Sequence, residues 1–109
     1  MKKTLLTIAA TIAITTSAQA EINPKSGLEQ AVHDLACVSS LSIQRDFLFD
    51  VGQARSDQME QLTDLQDQYL LKYPIGHKTM NTRNIDTLKR DHFGNNVQLA
   101  QLWTESNCI

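Results

Sequence analysis

The stretch SGLEQAVHDLACVSSL, residues 26–41, carries the reading on which the fold rests. Ser26 and Glu29, spaced as a capping-box pair, open a helix. Within it Leu28, Ala31, Val32, Leu35 and Ser39 share one face. At about 100° per residue, Cys37 falls almost opposite Leu28, flanked on that second face by His33 and Leu41. A helix with something to bury on both sides belongs in the middle of a bundle. The segment that ends in Cys108 is expected to cover its Cys37 side.

How the cysteines are read depends on the start of the chain. Residues 1–20, MKKTLLTIAATIAITTSAQA, combine Lys2 and Lys3, an apolar run from Thr4 to about Ala18, and a small-x-small close at Ala18-Gln19-Ala20. The run is shorter than the roughly 20 apolar residues that span a bilayer. Position 21 is Glu rather than the cysteine of a lipoprotein. The reading is a cleavable signal peptide followed by a single domain over 21–109, periplasmic or secreted. Residues 1–20 are expected to make few contacts with the rest.

In an oxidising compartment the chain's two cysteines, Cys37 and Cys108, most simply form one disulfide. A monomer is favoured over a disulfide-linked dimer. The bridge closes a loop of 71 residues, a constraint worth roughly 4 kcal/mol as an upper figure. For a mature chain of 89 residues, 109 less the 20 removed, such a staple supplements a small core. Trp103 should then pack near His33 or Leu41, with its N–H finding a partner.

Removing Lys2 and Lys3 leaves eight basic residues against twelve acidic ones, a net charge near −4 before histidine. That sign excludes nucleic acid and an anionic membrane surface as expected partners, and no stable membrane association is expected.

Residues 42–74 are helical in pattern, with Gly52 and Ser56 marking a break. Ser56 caps a second helix that runs to about Lys72 and ends at Tyr73-Pro74. IGHKTMN, residues 75–81, reads as an exposed loop. RNIDTLKRDHF, residues 83–93, places Ile85, Leu88 and His92 on one face, pairs Asp86 with Arg90, and stops at Gly94. Asn95 or Asn96 caps a last helix with Leu99, Leu102, Trp103 and Ser106 on one face. No segment alternates with period two, so the expected fold is all-α, a small bundle of four or five helices stapled by one disulfide.

Few constellations carry chemistry. Asp57, Glu60, Asp64 and Asp67 line one helical face, a solvated surface or a docking face for a basic partner. Tyr73 and His77 belong to the exposed loop and are the other partner-binding candidates. His33 and Cys37 have the spacing of two zinc ligands on a helix, which a disulfide at Cys37 removes. No nucleophile with a base, glycine-rich phosphate loop or metal cluster is present in the sequence, so no catalytic residue, metal or cofactor is expected.

The expected role is an exported, non-catalytic protein-binding module, such as an immunity protein or an inhibitor of a cell-wall enzyme, with a protein partner. In architecture the chain also resembles the small acid-stress chaperones of the enteric periplasm, which are helical, of similar mature length and stapled by one disulfide. That resemblance implies an alternative role as a periplasmic acid-stress chaperone. The cysteine placement differs, the second being almost terminal here.

Overall fold

A computed structural model of the chain describes residues 27–109. Residues 1–20, read from the sequence as a signal peptide, Ser26 of the expected capping box and the side chain of Leu28 lie outside the described residues. The elements are α1 (Gly27–Asp50), α2 (Asp57–Leu70), α3 (Thr82–Thr87), which runs directly into a π-helical turn (Leu88–His92), and α4 (Val97–Asn107). Among the described residues there is no strand, so the fold is the all-α bundle expected.

Helix α1 joins the segments that meet at Leu41 and Ser42 into one helix of 24 residues. Its buried hydroxyls are satisfied within the helix: Ser39 Oγ donates to Leu35 O at 2.8 Å and Ser40 Oγ to Cys37 O at 2.9 Å. Every residue from Asp34 to Leu41 is buried. Such all-round burial is possible only for a helix covered on every side, which is why its sequence shows two faces to bury.

The break falls where Gly52 and Ser56 place it. Gly52 takes φ +80°, and the N–H groups of Gly52 and Gln53 donate to Phe49 O and Leu48 O, closing α1 with a Schellman cap. Ser56 then caps α2, its Oγ accepting from the Met59 N–H at 3.1 Å.

Two clusters flank α1. On one side Ala36, Cys37 and Ile43 meet Phe93, Ala100, Trp103 and Cys108. On the other, Leu35 and Val38 meet Met80, with Tyr69, Leu70, Tyr73 and Ile85 packed around them. Phe93, 1 % exposed, contributes about 2–3 kcal/mol by burial. The disulfide forms as expected, Cys37 to Cys108, with a Cα separation of 5.8 Å. Both of the chain's cysteines are thereby used internally, leaving no thiol for a disulfide-linked dimer.

The C-terminal third departs from expectation in its π-helical turn, in the inward face of its last helix and in the Trp103 indole N–H. In the π-helical turn the Phe93 N–H donates to Leu88 O, five residues back. The i, i+4 register is lost there, and Arg90 pairs with Asp91 at 2.9 Å rather than with Asp86. Helix α4 turns Ala100, Trp103 and Thr104 inward while Ser106 stays exposed. Thr104 is drawn in by a buried polar seam, its Oγ1 2.7 Å from Ser40 Oγ and accepting from Gln44 Nε2 at 2.9 Å. Trp103 sits edge-on to His92 and Phe93, at 5.4 and 5.7 Å between ring centroids, in the cluster that holds Ala36 and Cys37. Among the described residues its indole N–H has no hydrogen-bond partner.

Candidate functional site

Asp34 of α1 is wholly buried, and its carboxylate gathers polar groups from α1 itself and from the segment after α2. Oδ1 accepts from Gln30 Nε2 at 2.9 Å, one turn earlier. Oδ2 accepts from the Tyr73 hydroxyl at 2.6 Å and from Lys72 Nζ at 3.3 Å. A buried charge is tolerated only when paired and hydrogen-bonded in this way. Lys72 and Tyr73 directly follow α2, so the carboxylate ties the start of the next loop to the central helix.

The tail is tied to the same region. Asn107 O can only accept, so the His33 Nε2 that lies 3.1 Å from it carries the proton. His33 Nδ1 lies 3.5 Å from Asp34 Oδ1 without a hydrogen bond. Tyr69 donates its hydroxyl to Cys108 O at 2.8 Å, and Lys72 Nζ stands 5.1 Å from the Tyr69 ring centre. With Cys37 in the disulfide and His33 facing Asn107 O, the zinc-like spacing of the two is put to structural use.

Burial, the hydrogen bond to Asp34 and the charge of Asp34 all hold the Tyr73 hydroxyl far above its usual range. Burial and the same charge push Tyr69 upward. These are the chain's two tyrosines. The folded state keeps phenolic protons that the unfolded chain releases near pH 10, so this stabilisation is complete below about pH 10 and falls as pH rises above it. In an alkaline titration, phenolate absorbance is expected to appear together with loss of helicity. Two phenolates titrating near pH 10 with helicity intact would contradict the clamp.

Beyond its tie to Asp34, the loop of residues 71–81 is ordered by its own side chains and by Asn84 of α3. Gly76 takes φ +83° in a turn closed by His77 N–H to Pro74 O at 3.1 Å. His77 Nδ1 accepts from the N–H groups of Thr79 and Met80 at 3.0 and 3.1 Å, and its ring packs edge-on to Tyr73 at 4.9 Å. Asn81 and Asn84 amides donate to His77 O and Thr79 O at 3.0 and 2.9 Å. Tyr73 and His77 therefore brace the loop from within, while the large apolar groups it presents to solvent are Leu71, 85 % exposed, and Ile75, fully exposed. Beside the loop and α3 runs a groove of about 850 Å³, lined among others by Leu70, Ile75, Met80 and Ile85.

Asp57, Glu60, Asp64 and Asp67 are all exposed on α2. Among the described residues no cluster of His, Cys, Asp or Glu could hold a metal ion. Asp57 and Glu60 occupy the first turn, where they complement the helix dipole. Replacing Asp64 and Asp67 with lysine is expected to leave the circular dichroism spectrum unchanged and stability within about 0.5 kcal/mol per site. Loss of helicity in that double variant would show the row to be structural.

Sequence reasoning missed Asp34, Leu71 and Ile75. Asp34 was open to notice, since an acid inside a helix buried on both faces must find partners. Comparison with known proteins adds no family: the chain matches no family model, no curated protein and no solved structure.

Proposed function

We propose that the chain is an exported, non-catalytic protein-binding module, of the kind that neutralises another protein as an immunity protein or an inhibitor of a cell-wall enzyme does. What supports the reading is the loop of residues 71–81. Its apolar tips, Leu71 and Ile75, stand in solvent on a backbone fixed by the Tyr73–Asp34 bond and the His77 brace. Presenting exposed aliphatic groups on an already ordered loop lowers the entropy lost on association. The test is affinity capture from periplasmic extract with the oxidised protein and with a Leu71→Asp/Ile75→Asp variant. A partner held in a fixed ratio by the first and lost by the second is expected. Equal capture by both, or none by either, would contradict it.

The chaperone reading is favoured by one feature. The same carboxylate holds down the loop whose Met80 covers Leu35 and Val38, so neutralising it would uncover apolar surface. Asp34→Asn at neutral pH should then bind an apolar-surface dye more strongly than the natural protein does at neutral pH, and acid should raise dye binding by the natural protein. A dye response in neither would remove this alternative.

A further inference from the structure

The groove beside the loop differs in charge from the rest of the chain. Its floor is aliphatic, the outer side of the cluster formed by Leu35, Val38 and Met80, with Leu70 and Ile85. Its rim carries Lys78 and Arg83, both exposed, and no carboxylate is among its lining residues. Among the described residues Lys72, Lys89 and Arg90 each pair with an acid, whereas Lys78 and Arg83, like Arg45 and Arg55 elsewhere, are in no ion pair. The wall amides of Asn81 and Asn84 are committed to backbone carbonyls of the loop. Recognition of a charged group is thereby left to the cations on the rim, with the exposed Thr82 as the remaining polar side chain beside them.

We infer that this groove binds an acidic peptide segment of a partner protein, seating one large apolar side chain against Leu70, Ile75, Met80 and Ile85 and placing its carboxylates at Lys78 and Arg83. Charge complementarity selects the occupant: an apolar floor between unpaired cations matches a segment with an apolar anchor flanked by acids. The groove is open to solvent, which suits an extended chain better than a small molecule, whose surface must be mostly enclosed. Its concavity favours a peptide over a lipid surface, which would need only the protruding tips of Leu71 and Ile75. The inference rests on the protein-binding reading above and names the chemistry of the partner's contact.

The experiment pans a display library of random dodecapeptides against the oxidised protein and against a Lys78→Glu/Arg83→Glu variant, with circular dichroism confirming that both are folded. Peptides carrying an apolar residue flanked by Asp or Glu are expected to be enriched, to bind the variant at least about tenfold more weakly, and to give way on the variant to Lys- or Arg-flanked sequences. Enriched peptides without acidic bias, acidic peptides that bind both proteins equally, or no enrichment would each overturn the inference. Binding to phosphatidylglycerol vesicles in place of peptides, lost in the variant, would overturn it in favour of a membrane surface. If the Leu71→Asp/Ile75→Asp comparison still loses a captured partner, the protein-binding reading survives any of these failures. If no partner is captured either, both fall.

Discussion

Cys108→Ser is expected to lower stability by about 2–5 kcal/mol, the range for losing a native disulfide from a small domain. The bridge closes 71 residues, so its removal returns much chain freedom to the unfolded state. At about 4–8 °C per kcal/mol, melting should fall by at least about 8 °C. The variant is a cleaner probe than reductant, because Cys37 is 0 % and Cys108 5 % exposed and the native bond is shielded from attacking thiolates. The fold itself should persist at low temperature. Helix α4 keeps the Thr104 seam with Ser40 and Gln44, and the tail keeps its bonds from His33 and Tyr69. An unchanged melting temperature in the variant would remove the staple from the account.

Asp34→Ala is the second large effect, a loss of about 2–4 kcal/mol in chemical denaturation. The alanine leaves the Tyr73 hydroxyl and the Gln30 amide without their acceptor, and opens a void at a site with 0 % exposure. Lys72 recovers more of its loss, since half of its side chain already meets water. Asp34→Asn keeps the volume and one acceptor oxygen and should cost less. In a double-mutant cycle, Asp34→Asn and Tyr73→Phe should couple by about 0.5–3 kcal/mol. Additive losses would show that the two side chains do not act together.

The bundle, its disulfide and most of its helix ends were legible because each rests on local chemistry or a forced choice. Ser56, Gly52 and Asn96 act on neighbours within a few residues, and two cysteines admit one internal pairing. What escaped depends on distant residues. The inward face of α4 was misjudged because its central residues are Ala100 and Thr104, one small and one polar. Thr104 is buried for its bonds to Ser40 and Gln44, 64 and 60 residues away. The π-helical turn at Leu88–His92 leaves no mark in a 3.6-residue pattern, and so the Asp86–Arg90 pair was expected where Asp91 is found. The loop was read as exposed throughout, whereas Thr79 and Met80 are buried; its order is invisible from composition, because the Asp34 that fixes it lies 39 residues before Tyr73.

The central claim is that a buried carboxylate on α1 holds the loop of residues 71–81 in one conformation. Amide hydrogen exchange, followed residue by residue in the natural protein and in Asp34→Asn, tests it most directly. The Thr79 and Met80 amides, which donate to His77 Nδ1, are expected to be protected in the natural protein and to exchange at least about tenfold faster in the variant as the local opening free energy falls by about 1.4 kcal/mol or more. The amides of Ala100 and Thr104 in α4 should exchange through global unfolding and lose protection only by the variant's overall destabilisation. Equal protection of Thr79 and Met80 in the two proteins, or no protection in either, would contradict the claim.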